Sequence, residues 1–145
     1  MLKLLDADTV ENATDTNNPV ITPTSCALPN RLPSAPKMSG TDPVRILPGS
    51  LLRSIAGADV FEAEYFCNYV VNEEYEPRFE ASGLRVSAHG PAGEPRAVEL
   101  PGHRFFVATL FQPQLTSSPE TPHPVILAYL EACGRFRAER SHAAL

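Results

Sequence analysis

Residues 98–111 read Val-Glu-Leu-Pro-Gly-His-Arg-Phe-Phe-Val-Ala-Thr-Leu-Phe, a turn followed by a nearly unbroken apolar run. A continuous run of this kind is typical of a strand that is covered on both faces, so Phe105–Phe111 is predicted to be a central strand. His103 follows a Pro-Gly pair and is interpreted as a turn residue. Just upstream, Leu84–Ala88 and Ala97–Leu100 are predicted to be strands joined by a Gly-rich hairpin loop. The stretch therefore favours a sheet-containing α/β domain.

Three helices are predicted around these strands. Ser50 is placed to cap a short helix over Leu51–Ala56, and Gly57 is placed to end it. Pro77 suits the first turn of a second short helix, which Gly83 ends. The third is a C-terminal amphipathic helix, whose apolar stripe is predicted from the helical spacing of Ile126, Tyr129, Leu130, Cys133 and Phe136.

The N-terminal third of the chain has a different composition. Segment 17–43 carries six of the fifteen prolines and is predicted to be a long loop holding one short strand around Val20–Ile21. The aromatic and β-branched run Glu64–Val71 predicts a further strand. No internal repeat is visible, and residues 1–145 are interpreted as one domain, closer to half of an α/β array than to a complete one.

Charge and composition exclude several classes of protein. The formal net charge of 145 residues is -5, with no basic stripe that could neutralise phosphates, which argues against a nucleic-acid partner. No apolar run approaches the roughly 18 residues of a membrane span, and the N-terminus does not have the pattern of a signal peptide. Neither a membrane partner nor a nucleic-acid partner is expected, and the cytoplasm is the predicted location.

The cysteines and histidines predict neither a metal site nor a cofactor. Three cysteines without a Cys-x-x-Cys pair form no disulfide framework, and the four histidines stand singly. Cys67 and Cys133 are expected to be inert thiols in the core. Cys26, in the Pro-rich segment, is the one cysteine expected to be exposed.

Five stretches, taken in order, resemble the C-terminal half of the class I glutamine amidotransferase domain of CTP synthase. They are Leu-Pro-Gly-Ser-Leu (47–51), Tyr-Val-Val-Asn-Glu-Glu-Tyr (69–75), Glu-Ala-Ser-Gly-Leu-Arg-Val-Ser (80–87), the opening stretch 98–111, and Pro-His-Pro-Val-Ile-Leu-Ala-Tyr-Leu-Glu-Ala (122–132). The agreement runs over residues 44–133. A group of bacterial proteins related to the CTP synthase C-terminal region looks closer still. Asp6–Glu11 resembles, more weakly, the acidic turn after the nucleophile helix of the family.

The resemblance implies a flavodoxin-like, doubly wound α/β fold, and glutamine hydrolysis in the service of CTP biosynthesis. The family uses a cysteine nucleophile, a histidine base and an orienting glutamate. This chain contains no Gly-x-Cys-x-Gly turn. Where the family has Phe-His-Pro-Glu, residues 111–114 are Phe-Gln-Pro-Gln, so Gln112 and Gln114 occupy degenerate catalytic positions. The resemblance further assigns Glu11, Asn68 and Tyr69 to substrate binding, with Asn68 in place of an arginine.

These substitutions predict a non-catalytic, amidotransferase-like module, inactive on its own, because an amide cannot accept a proton from a thiol. Gln112 and Gln114 would then either line a polar site for a glutamine-like small molecule or be relics at a strand end. Two alternatives remain open. The chain is part of a larger CTP synthase-related amidotransferase whose nucleophile half is supplied elsewhere, or it is an independent hydrolase that uses Cys26.

An oligomer is also expected. If Phe105–Phe111 is a central strand, it needs cover on both faces, and the predicted helices are too few to supply it. A homodimer, or a partner chain that supplies the missing half, is therefore predicted to bury the surface near this strand and the Asp6–Glu11 turn.

Overall fold

The computed structural model describes residues 8–9, 17, 19–23, 39–67 and 69–142, with the side chains of 8–9 left out. The strands are β1 Asp8–Thr9, β2 Pro19–Pro23, β3 Ser39–Ile46, β4 Val60–Phe66, β5 Tyr69–Val71, β6 Arg85–His89, β7 Pro95–Glu99 and β8 Val107–Thr109. The α-helices are α1 Leu51–Ala56, α2 Glu76–Ala81 and α3 Pro124–His142, and 3-10 turns span Glu73–Tyr75 and Pro113–Thr116.

The strands form two sheets. The larger has the order β4-β3-β6-β7-β8, and each of its neighbouring pairs is antiparallel. The smaller has the order β1-β2-β5, with β1 parallel and β5 antiparallel to β2. With three α-helices placed around these sheets, the fold is mixed α/β, as predicted.

The local signals around α1 and α2 gave correct helix boundaries. The Ser50 hydroxyl accepts the Arg53 backbone N–H at 3.0 Å, and Gly57 ends α1 with a φ of 67°. A left-handed conformation of this kind is the usual role of glycine after a helix. Pro77 lies in the first turn of α2 and Gly83 follows its end. The predicted β6–β7 hairpin is also confirmed.

The prediction of a central strand over Phe105–Phe111 is wrong. Only Val107–Thr109 is a strand, and it lies at the edge of the larger sheet, next to β7. The residues of the run are apolar because they pack against different parts of the molecule. Phe111 packs edge-on against Phe61 in the core, with ring centroids 5.1 Å apart, whereas Phe105 packs against Tyr129 of α3. The partner predicted to cover this strand was inferred from a central position, so that inference no longer holds.

The single strand predicted over Glu64–Val71 is two strands. Phe66, at the end of β4, pairs with Ser39 in the larger sheet. Tyr69, at the start of β5, pairs with Pro23 in the smaller sheet. The run has β-forming residues throughout, but the chain changes sheet between these positions, and composition alone does not reveal such a change.

Two apolar clusters hold the sheets and helices together. The larger lies between the five-stranded sheet and α1, and it consists of Val44, Ile46, Leu52, Ala63, Ala88, Ala97 and Phe111. The smaller joins α2 to β6, and it consists of Tyr75, Phe79 and Val86. Val20 and Val71 of the small sheet pack against this second cluster, which joins the two sheets.

Helix α3 is present where it was predicted, but the prediction that it is amphipathic is wrong, because its apolar side chains are spread around the helix. Of its residues, only Ala132 is fully buried, whereas Tyr129, Leu130 and Phe136 are exposed. Cys133 is exposed as well, so the prediction of a core thiol there is wrong. Helix α3 contacts α1, and residues 133–142 are all exposed. In the described part of the chain, no helix is long and apolar enough to cross a membrane.

Candidate functional site

The two glutamines lie where β8 leaves the sheet. Phe111 is buried, and Gln112 then turns the chain into the 3-10 turn that begins at Pro113. The Gln112 backbone N–H donates to the Glu64 carbonyl of β4 at 2.8 Å, and the Gln112 carbonyl accepts the Leu115 N–H at 3.0 Å. Contacts on both sides thus fix the backbone of Gln112.

The side chains of the pair meet each other. Gln114 Nε2 lies 3.4 Å from Gln112 Oε1, a weak amide–amide hydrogen bond, with Gln112 half-buried and Gln114 exposed. A carboxamide neither gains nor loses a proton in the physiological range, so the pair can bind through hydrogen bonds but cannot act as a base.

An aromatic cluster lies below the pair. His123 packs against Phe61 and Phe111, with ring centroids 6.1 Å and 6.2 Å away. Its Nδ1 accepts the Val125 backbone N–H at 3.2 Å, and burial lowers the pKa of His123 below its ordinary value. Among the described residues, no hydrogen bond joins the His123 ring to Gln112 or Gln114. The contacts of His123 thus join the aromatic cluster to the start of α3.

The structure covers only part of the predicted substrate-binding set. Tyr69 is half-buried on β5 in the smaller sheet, whereas the glutamine pair follows β8 of the larger one. Glu11 and Asn68 lie outside the described residues, as does Cys26. The three predicted substrate-binding residues therefore stay predictions.

Two cysteines fall within the described residues. Cys67 is half-buried, and the exposed Cys133 is hydrogen-bonded to Tyr129, which raises the pKa of that phenol. The described residues contain no group of three or more His, Cys, Asp or Glu side chains that could hold a metal ion.

Sequence reasoning missed a buried carboxylate that organises the loop before α1. Glu99 is only 4% exposed, and its Oε2 accepts the N–H groups of Leu51 at 2.8 Å and Leu52 at 3.3 Å. Arg85 approaches Glu99 at 3.9 Å and donates to the carbonyls of Pro48 and Gly49. A carboxylate at a helix N-terminus satisfies donors that have no partner in the helix.

A second buried ion group supports β7, the neighbour of β8. Arg96 donates to Glu94 at 2.7 Å and to Asp42 at 3.2 Å, and its guanidinium lies over the Tyr65 ring. The Arg96 carbonyl accepts the Leu110 N–H at 2.9 Å, which holds the chain just before Phe111. The contacts of Glu99 with Leu51 and of Arg96 with Asp42 have no sequence signal, because each one joins residues that are far apart in the chain.

The comparisons with known proteins identify the relatives of this fold. No protein-family model matches the chain. The CTP synthase of Aeropyrum pernix is 35% identical over 144 residues, which cover 94% of this chain and 26% of that protein. The CTP synthase of Pyrobaculum aerophilum is 39% identical over 94 residues, covering 64% of this chain and 18% of that protein. The chain thus spans about a quarter or less of the curated relatives that it matches.

A solved structure, described as the glutaminase domain of Trypanosoma brucei CTPS with bound acivicin, superposes with a TM-score of 0.78 at 27% identity. The match covers 90% of this chain and 51% of that one. The fold is that of a class I glutamine amidotransferase-type domain. The chain is similar in sequence to part of CTP synthase and has the fold of the glutaminase domain, so the resemblance found in the sequence is confirmed.

Proposed function

We propose that this chain is a non-catalytic member of the CTP synthase glutaminase-domain family. It binds a glutamine-like small molecule and does not hydrolyse glutamine. The observation that carries the proposal is the amide–amide contact between Gln112 and Gln114, at the positions that the family resemblance assigns to base and orienter. An imidazole in contact with a carboxylate can take a proton from a thiol, whereas two carboxamides cannot.

The geometry supports a binding role for the same strand end. Both amides keep a donor and an acceptor, and the backbone around Gln112 is fixed by the Glu64 and Leu115 hydrogen bonds. A pre-organised pair of amides suits a ligand with its own amide or carboxylate, so a glutamine-like small molecule is the ligand class that we propose.

An assay of ammonia release from glutamine tests the non-catalytic role. The purified chain should release no more ammonia than a buffer blank, and Gln112→Ala should behave identically. Hydrolysis that Gln112→Ala abolishes would contradict the proposal. Hydrolysis that survives the substitution would instead come from another site, such as Cys26, or from a contaminating enzyme, and a thiol-reactivity profile would separate these two sources.

A second candidate is that the chain works with a nucleophile-bearing half from another polypeptide segment. The backbone around Gln112 supports this candidate, since it still presents two adjacent side chains at the end of β8. In that assembly the nucleophile-bearing half must also supply the base, because Gln112 provides none. Adding the N-terminal half of a related glutaminase domain distinguishes the two proposals, because only the second one expects ammonia release from the unsubstituted chain.

A further inference from the structure

One exposed face of α3 carries apolar and small side chains. Leu127 and Leu130 are 43% and 57% exposed, and they lie three positions apart on the helix. Gly134 follows one turn later, and a Cβ atom built there would meet nothing within 4 Å. Ala138 and Ser141 continue the same face. At about 100° per residue, all five positions fall within roughly 80° of the helix circumference.

The residues of this face suit close packing against another helix. Two leucines stand in its first half and small residues stand in its second half. When two copies of such a helix lie antiparallel, the leucines of each one meet the small side chains of the other. Glycine at the crossing point lets the two axes come close, near the lower end of the about 8–10 Å range of packed helices.

The charges of α3 favour the same arrangement. Before Gly134, Glu131 is the only Asp, Glu, Lys or Arg residue, so that half has a formal charge of -1. After Gly134, three arginines and one glutamate give a formal charge of +2. An antiparallel pair places each acidic half beside the basic half of the other helix, whereas a parallel pair places like charges together.

A groove beside the face provides further room for a partner. A space of about 390 Å³ lies between α1 and α3, and its lining includes Leu51, Ile55, Leu127 and the two ends of the Glu131–Arg135 ion pair. The groove runs along the first half of α3. The basic second half of a partner helix would therefore lie next to apolar surface and to the Glu131 carboxylate.

We propose that α3 is a self-association surface, on which α3 of a second copy of this chain packs antiparallel and crosses at Gly134. Glu131 then lies on the same flank of the pair as Arg135 of the second copy, and Leu130 at the level of Ala138. The proposal concerns a different surface from the Gln112–Gln114 pair and stands independently of the proposed function.

Cysteine cross-linking tests the crossing point. In a full-length chain with its three native cysteines replaced by serine, Gly134→Cys should form an intermolecular disulfide under mild oxidation. Two such residues at a crossing of about 8 Å between axes come within disulfide reach. Ser141→Cys is the matched control on the same face. Its two copies would be about 21 Å apart along the axes of an antiparallel pair, and it should stay monomeric on a non-reducing gel.

Sedimentation equilibrium tests the charges. Glu131→Arg should raise the dimer dissociation constant about tenfold, since two attractive contacts become repulsive. Adding Arg135→Glu should restore dimerisation. Val60→Glu, at an exposed apolar position of β4, should leave it unchanged, and circular dichroism should show an unchanged fold in every variant. A monomer at tens of micromolar, a dimer insensitive to Glu131→Arg, or a cross-link at Ser141 instead of Gly134 would overturn the proposal.

Discussion

The carboxylate of Glu99 on β7 accepts the backbone N–H of Leu51 at 2.8 Å, a contact that joins a strand to the first turn of a helix 48 positions earlier in the chain. The same oxygen accepts the Leu52 N–H, and Arg85 approaches the other oxygen. This buried acid therefore fixes α1 against the sheet that carries β8.

Glu99→Ala should lower the free energy of unfolding by about 1–3 kcal/mol, because two N–H groups at the start of α1 lose a charged acceptor. Glu99→Gln should cost less, since the amide oxygen can still accept. Urea denaturation followed by circular dichroism measures both changes. Glu120→Ala, at an exposed loop position, is the control and should change little. Equal midpoints for all three variants would show that Glu99 does not hold the helix.

In the β6–β7 hairpin, the Glu94 and Arg96 side chains lie close to the backbone of Gly90. A Cβ atom on Gly90 would lie 2.1 Å from Glu94 Oε1 and 2.8 Å from Arg96 Nε, both members of the buried ion group. Gly90→Ala must displace this ion pair and should destabilise the fold by about 1–3 kcal/mol. Ala92→Ser, exposed in the same loop, should be close to neutral in the same denaturation assay. Tolerance of Gly90→Ala would mean that the Glu94 side chain relocates at no cost.

His123 makes the stability depend on pH. Burial lowers the pKa of His123 in the folded chain below its ordinary value of 6.5. The unfolded chain then binds a proton more readily, so the free energy of unfolding should fall as the pH drops below about 6.5 and should not depend on this residue above it. His123→Phe, which keeps an aromatic ring in the cluster, should flatten the dependence between about pH 7 and pH 5. The slope should persist in His103→Gln, a change at an exposed histidine. A slope unchanged by His123→Phe would assign the pH dependence to other groups.

Local chemistry made parts of this fold predictable. Ser50, Gly57 and Pro77 signal helix ends through their own backbone and side-chain properties, and each one acts as expected. The resemblance located the glutamine pair, and the short turn through Pro113 explains why the two side chains meet.

Long-range placement accounts for what the sequence could not predict. An apolar run is compatible with a central or an edge strand, and only the pairing of β7 with β8 decides between them. Helical spacing likewise does not reveal which residues of α3 are covered, and Cys133, predicted to be buried, is exposed. The contact of Glu99 with Leu51 depends on the complete sheet and has no local signature.

The degenerate pair gives the sharpest test of how much of the glutaminase scaffold remains. We expect Gln112→His together with Gln114→Glu to restore a base and its orienter at the end of β8, because the Gln114 side chain already reaches that of Gln112. With the nucleophile-bearing half of a related glutaminase domain added, the double variant should release ammonia from glutamine at least about 100-fold faster than the unsubstituted chain, the low end of general-base contributions. Gln114→Glu alone is the matched control and should give no increase, since it supplies an orienter without a base. Gln112→His alone should fall in between, as its imidazole lacks a fixed orientation. If both halves associate but the double variant stays inactive, the backbone of this strand end no longer presents residue 112 to the nucleophile. The amide pair would then differ in position from the catalytic pair of the relatives, and the ligand class inferred from that position would be wrong.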